Sequence, residues 1–477
     1  MEAPQPEKQE GGAAQEQQQQ QGDGAKKKKA GMGYRQMKKK QQETGLINVN
    51  PIAGARDFPP EEMIYRNWLF GEWREVARIF GFAEYDAPIL EYEDLYKRKA
   101  GEEITQQMYN FVDKGEQAVA LRPEMTPSLA RIVLQKDKSL LMPIKWFSIP
   151  QCWRFETTSL VRKREHFQWN MDILGVAQVS AEAELLGALV TFFKRVGLTS
   201  NDIGIKVSSR KVVQSVLDKL GVKGDKFAKT CVIVDKLDKL EREEVIVQLA
   251  ALEIPKEIAD QIIDSLTVKN LDDLAASLGE KHIAVKELRE LFALAEAYGC
   301  ADWIQFDASV IRGLAYYTGI VFEGFDKTGA VPRAICGGGR YDRLLSTYGA
   351  KEDRPACGFG FGDCVIMEIL KDRKLLPQLA PKVEDIVLAF NEELRPVAIQ
   401  VATKLRAKGR SVDIVLGKNK KLKWAYSYAD RLGADRVFLV APDEWKDRLI
   451  RIKNLRDGSR NEDEKDTNQE NIAFDEL

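Results

Sequence analysis

The sequence predicts an α+β core, an antiparallel sheet flanked by helices, which carries a helical insertion and is followed by a C-terminal α/β domain. Three observations predict it. β-rich runs at 83–90, 117–121, 144–155 and 167–174 are interrupted by helical signals. From 226 to 300 Glu, Lys, Leu and Ala dominate, with helical periodicity in LEREEVIVQLAALEI and VKELRELFALAEAYG. After 383 the pattern alternates strand and helix, at 385–390, 395–408, 411–416, 421–432 and 436–441, as a largely parallel sheet requires.

These elements divide the chain. Residues 1–45 form a low-complexity tail, with a glutamine run at 17–21 and lysine clusters at 26–29 and 38–40. Such a segment buries too little apolar area to offset its ordering entropy. Its lysines make it either a solvated tail or an arm that attracts RNA phosphates. The core runs over 46–225 and 301–372, interrupted by the insertion at 226–300. A linker at 373–382 leads to the α/β domain at 383–457, and 458–477 reads as a frayed polar tail. Near the start of the core, Asp57 is placed to cap a helix that Pro59 and Pro60 open, with Ile64, Trp68, Val76 and Phe80 on its apolar face. Thr126-Pro127 opens a second helix through Leu134. Strand-like sequence runs from Trp303 through Phe322.

Composition excludes several functions. With 477 residues and 44% hydrophobic content the chain has enough apolar material for several domains. A net charge of −1 means that any basic surface is local. The six cysteines contain no C-x-x-C pair, which favours a reduced compartment. Two histidines, His166 and His282, exclude HExxH and His-rich metal sites. No run of 18 apolar residues and no secretory apolar core is found, so the compartment is read as cytoplasmic.

Chemistry concentrates in five stretches. In RFETTSLVRKREHFQWNMD, Gln168, Asn170 and Asp172 alternate with Trp169, Met171 and Ile173, so a strand would put the polar groups on one face. Arg154 and Glu156 share that spacing before a loop at 157–161, and Arg162 and Arg164 follow it. Such a face either holds a polyanion beside a zwitterion or simply meets solvent. In LRPEMTPSLAR, Glu124 sits between a strand end and a helix start, where it could take an ammonium, sit in the field of the helix N-terminus or pair with Arg122. RGLAYYTGIVFE places Arg312 beside Gly313, with Tyr316 and Tyr317 on opposite sides of an extended chain. ICGGGRYDRLL puts three glycines before an expected helix, and GFGFG gives Gly358, Gly360 and Gly362 at period 2. A strand with one bare side offers either a flat floor to a purine or room for a packed strand crossing. Neither glycine motif has the order of a P-loop or a Rossmann turn.

In order, these segments resemble the signature blocks of the histidine-specific class II aminoacyl-tRNA synthetase family. PIAGARDFPP and YDAPILE resemble its dimer-forming first motif, WRFE through RKREHFQWNMD its second, and PACGFGFGD its third. RGLAYYTGIVFE and ICGGGRYDRLL resemble its two histidine-specific blocks. The resemblance implies the class II fold with a C-terminal anticodon-binding domain. It implies a homodimer, without membrane attachment, that charges tRNA(His) with L-histidine at the expense of ATP, with Mg2+ accompanying the nucleotide and no resident metal site. A plastid or mitochondrion is the alternative to the cytoplasm. It further implies that Arg312 is the chief catalytic group, on the α-phosphate. Glu124, Met125, Thr126, Arg154, Gln168, Asp172, Arg312, Tyr316 and Tyr317 would bind histidine, and Arg154, Glu156, Arg162, Arg312, Gly358 and Gly360 would bind ATP.

Two departures stand out. The family's third motif ends in Glu-Arg, and this chain has Cys364 and Val365 there, so another cation, such as Arg340, or Mg2+ has to serve. The second-motif loop carries Thr157 and Val161 where more basic or glycine residues are usual. Two other classes share the resemblance: a non-catalytic paralogue like the regulatory subunit of ATP phosphoribosyltransferase, and an RNA-binding module. The lysines at 418–423 read as a solvated helix face or as contacts to an anticodon arm.

Overall fold

The computed structural model describes residues 47–98, 102–136, 139–234, 237, 240–311, 317–379, 383–417, 420–456 and 469–477. The expected tail at 1–45 and most of the RGLAYY block, Arg312 and Tyr316 included, lie outside the described residues.

The core strands are β1 (Ala83–Glu84), β2 (Leu90–Tyr92), β3 (Tyr109–Val112), β4 (Ala118–Leu121), β5 (Ile144–Ser148), β6 (Gln151–Trp153), β7 (Glu165–Leu174), β8 (Ile203–Ser209), β9 (Ile304–Phe306), β10 (Ile320–Asp326), β11 (Cys336–Arg340) and β12 (Ala356–Gly362). The main sheet has the order β1-β5-β7-β12-β11-β10-β8-β9, with β6 paired to β7. Its pairs are antiparallel except β1 with β5 and β8 with β9. A smaller sheet, β2-β4-β3, stands apart from it.

One face of the main sheet is closed by two helices, Pro60–Ile79 and Ser180–Arg195. The indole of Trp73 stacks on Trp169 at 5.9 Å, and Phe192 meets Phe361 edge-on at 5.2 Å. Trp169, Phe359 and Phe361 are therefore the apolar sides of β7 and β12, all buried. Burying such aromatic area contributes roughly 1.5–3 kcal/mol per side chain. The first of these helices starts at Pro60 with Pro59 as its cap residue and no side-chain cap, so Asp57 does not cap it. Proline at the first turn needs no amide partner there.

The described residues between 225 and 297 form five helices, Asp225–Val234, Arg242–Ala250, Lys256–Leu266, Leu271–Leu278 and Ile283–Ala297. Their apolar faces, with Cys231, Leu249, Ile262 and Leu288 among them, join the same buried cluster as the main sheet.

Two core expectations are corrected. The strand expected from Trp303 through Phe322 is interrupted after Phe306, where the Asp307 carboxylate accepts the backbone N–H and hydroxyl of Ser309 and turns the chain. The glycines expected to precede a helix are themselves strand β11, and only the short helix Leu344–Thr347 follows.

The C-terminal sheet is β13 (Asp385–Ala389), β14 (Val412–Ile414), β15 (Arg436–Val440), β16 (Leu449–Asn454) and β17 (Gln469–Ala473), in the order β14-β13-β15-β16-β17. The first three are parallel, and β16 and β17 add an antiparallel edge. The last nine residues are thus no frayed tail: Phe474 and Leu477 are buried, and Phe474 meets Trp445 edge-on at 5.4 Å. Their apolar residues are too sparse to show as a periodic run, yet the pairing of β17 with β16 and the 3-10 turn that follows bring Phe474 and Leu477 to the core.

Candidate active site

The opposite face of the main sheet carries the polar residues. Cross-strand register defines two rows on it. Gly339, Gly358 and Asp172 are direct neighbours across β11, β12 and β7. Glu323, Gly337, Gly360 and Asn170 form the next row. Directly paired residues share a face, so four glycines make a bare lane between flanking side chains.

Close approach explains these glycines. A Cβ on Gly358 would lie 2.3 Å from both Asp172 Oδ1 and the Tyr341 hydroxyl. One on Gly360 would lie 2.6 Å from Gln168 Nε2, and one on Gly339 would lie 3.0 Å from the Tyr317 ring. Gly338 points the other way, against Phe322 and Phe359.

At one end of the lane the Tyr341 hydroxyl donates to Asp172 Oδ1, with both residues buried. The Tyr317 ring lies 6.3 Å from that of Tyr341. Asn170 Nδ2 is buried on the same face with no hydrogen-bond partner among the described residues, a donor that a ligand could satisfy. Tyr341 was missed among the site candidates; its only signal was its place directly after the glycine block.

The other end is cationic. Arg154 donates from Nε to the Pro123 carbonyl at 2.9 Å, which brings it to the segment holding Glu124 and Thr126. Beyond the end of β6 the ladder continues through the Arg154 amide and the Arg164 carbonyl at 2.8 Å. Glu156 pairs with Arg162 at 3.0 Å. Arg164 turns away, over the Phe155 ring at 3.9 Å and onto the Ala53 carbonyl. His166 shares the face of Gln168, and burial, followed by the charges of Arg154, Arg56 and Arg333, pushes its imidazole down to about 3. It stands there as a neutral ring.

Several residues serve as supports. Met125 is buried, its sulfur 3.8 Å from Arg122 Nη1. Arg122 bonds Asp86 and the carbonyls of Ala87 and Gln151. Arg56 joins the buried carboxylates Glu165 and Asp363 at 2.7 and 3.0 Å. Asp363 also accepts the Phe167 amide at 3.0 Å, so a carboxylate already occupies the start of the helix Asp363–Asp372. Arg340 is not available to a ligand: it is buried, forked onto Glu182 at 2.7 and 2.6 Å, and bonded to the carbonyls of Val176 and Gln178. Val365 lies in the core.

A sheet with one helix-covered apolar face and one open face, bare at its centre, polar at one end and basic at the other, is the architecture of class II aminoacyl-tRNA synthetases. The described fold resembles a histidyl-tRNA synthetase from a Nostoc species, with a TM-score of 0.72, 23% identity, and 90% and 98% of the two chains covered. A Staphylococcus aureus histidyl-tRNA synthetase aligns with a TM-score of 0.66 at 21% identity, covering 90% of this chain and 98% of that one. The histidyl-tRNA synthetase family model matches residues 54–362, and an anticodon-binding domain model matches 384–477. The chain is 55% identical over 414 residues to a chloroplastic/mitochondrial histidine–tRNA ligase of Arabidopsis thaliana, covering 87% of this chain and 85% of that protein. It is 36% identical to a histidine–tRNA ligase of Leptospira biflexa, with 87% and 95% covered. The chain belongs to the histidyl-tRNA synthetase family.

Proposed function

We propose that the glycine-floored face is where this ATP-dependent histidine–tRNA ligase activates L-histidine and from which it transfers the histidyl group to tRNA(His). The observation that carries the reading is the lane of Gly337, Gly339, Gly358 and Gly360 between the Asp172–Tyr341 pair and the arginines. The imidazole of the substrate lies against Asp172, Tyr317 and Tyr341, with Gln168 and Tyr316 beside it. Its amino group goes to Glu124 and Thr126. ATP lies over Gly358 and Gly360 and folds back on itself, because Glu156 at its adenine end and Arg162 at its outer phosphates are 3.0 Å apart, with Arg154 and Arg312 on the α-phosphate.

A histidine carboxylate oxygen bonds to the α-phosphorus while the bridging bond to the β-phosphate breaks, and pyrophosphate leaves with the electron pair. The 3′-terminal hydroxyl of the tRNA then takes the histidyl group from the adenylate. No covalent enzyme intermediate is needed. Positioning and preorganised charge supply the rate. Mg2+ enters as part of its ATP complex and so counts as substrate.

The working form is read as a homodimer. On one face of the small sheet Leu90, Tyr92 and Phe111 are exposed, at 39, 60 and 51%, an apolar face of the kind a partner covers. Among the described residues no helix is long and apolar enough to cross a membrane. The compartment is the cytoplasm or an organelle, and similarity to the chloroplastic/mitochondrial relative supports the organelle. A fluorescent fusion of the full chain decides between them.

The test of function is ATP–pyrophosphate exchange run with each amino acid. Exchange that depends on histidine alone is expected; its absence overturns the reading.

A further inference from the structure

Among the charged groups on the basic end, Arg333 has no role yet. It lies in the connection between β10 and β11, in a tight turn closed by its own amide on the Val331 carbonyl at 2.7 Å. Val331 packs on the core on one side, and Ile335 is buried on the other. The backbone is therefore anchored on both sides of an arginine that points back to the second-motif hairpin.

Its environment is unusual for a structural arginine. Its nearest acid is Glu156, at 3.8 Å, beyond hydrogen-bond range and shared with Arg162 at 3.0 Å. Among the described residues its guanidinium makes no hydrogen bond. Burial, then the charges of Arg162 and Arg154, weaken its hold on its proton. Its electrostatic neighbours also include Cys364 and His166. The contrast with Arg340 is plain: that side chain has a buried carboxylate fork and two carbonyls, and its charge is fully answered. Arg333 is held rigidly among like charges with a fork of N–H donors unmet, an arrangement that a polyanion between Arg154, Arg162 and Arg333 would satisfy.

We propose that Arg333 binds the outer phosphates of ATP and stabilises the departing pyrophosphate, supplying from the β10–β11 connection the cation that buried Val365 cannot. The proposal rests on the activation reaction given above. Arg333 acts on the leaving group: as the bond from the α-phosphorus to the bridging oxygen breaks, negative charge grows on the pyrophosphate that its guanidinium faces.

The test compares Arg333→Ala and Arg333→Lys with the wild type, as full-length proteins checked for unchanged melting. In ATP–pyrophosphate exchange, Arg333→Ala is expected to raise the KM values for ATP and for pyrophosphate by about 10-fold or more, as loss of a charge-assisted contact typically does. The KM for histidine stays within about twofold, and calorimetric affinity for AMP, which lacks the outer phosphates, is unchanged. Arg333→Lys restores part of the ATP affinity. If ATP and AMP are weakened equally, or if the ATP and pyrophosphate constants do not move, Arg333 is only a prop for Glu156 and the proposal fails. If Arg333→Ala melts early, the Lys variant and the ATP-to-AMP affinity ratio decide. A wild type without histidine-dependent exchange would sink the reaction assignment instead, while the calorimetric ratio still tests Arg333.

Discussion

The hydroxyl of Tyr341 donates to Asp172 Oδ1 directly above the spot where Gly358 has no side chain. The two residues are far apart in sequence, and both are buried at the polar end of the lane. Removing the hydroxyl in Tyr341→Phe leaves a buried carboxylate short of a donor, which costs about 1–3 kcal/mol. The expected outcome is a histidine KM raised about tenfold or more, with the ATP KM little changed, measured by exchange kinetics.

Gly358→Ala is expected to abolish measurable exchange. The new methyl would sit 2.3 Å from Asp172 Oδ1 and 2.7 Å from the Met171 carbonyl, and backbone cannot yield as a flexible side-chain tip can. Overpacking of this kind also destabilises by about 1–3 kcal/mol, visible in urea unfolding. Gly362→Ala is the control: nothing lies within 4 Å of its Cβ, so activity and stability should hold.

Arg312→Ala is expected to slow adenylate formation by about 100-fold or more, the usual consequence of losing one preorganised charge contact. Single-turnover formation of histidyl-adenylate checks it, and a near-normal rate would remove Arg312 from its assigned role.

The helix Leu422–Leu432 begins beside Lys420, whose ammonium lies 4.9 Å from the Trp424 ring, itself stacked on Tyr428. Lys423 is exposed on that helix. If this surface meets the anticodon arm, Lys423→Ala weakens tRNA binding and lowers the salt slope of log Kd by about one contact's worth. An unchanged slope assigns Lys423 to solvent.

His166 predicts a pH dependence. Its folded-state value, about 3, lies below its ordinary value of 6.5, so between these limits the unfolded chain binds the extra proton. Its contribution to stability is therefore complete above about pH 6.5 and is lost as pH falls toward 3. Urea midpoints of wild type and His166→Gln, taken between about pH 5 and pH 7, should diverge in slope, with the wild type the more acid-sensitive. Parallel slopes would show that His166 titrates normally.

Local pattern carried much of this protein. Period-2 alternation in QWNMDI put Gln168, Asn170 and Asp172 opposite Trp169 and Met171, because strand geometry alone decides which side chains share a face. The same logic made GFGFG a bare-faced strand anchored by Phe359 and Phe361. The third-motif departure at Val365 was equally legible, since it is a matter of residue type. Other features depended on partners distant in sequence. Arg340 looked like a spare cation until the fold brought Glu182 to it. Arg333 lies in the β10–β11 connection, and only the fold brings the hairpin at Glu156 and Arg162 beside it. Tyr341 acquired a function only by reaching Asp172, and 469–473 became a strand only by finding β16. Sequence by itself determined the family, the strand faces and the inventory of charges, because those follow from residue identity and local spacing. Which charges are answered within the protein and which remain for a ligand was decided by tertiary structure, because an ion pair depends on distance in space and the chain sets that distance only when it folds.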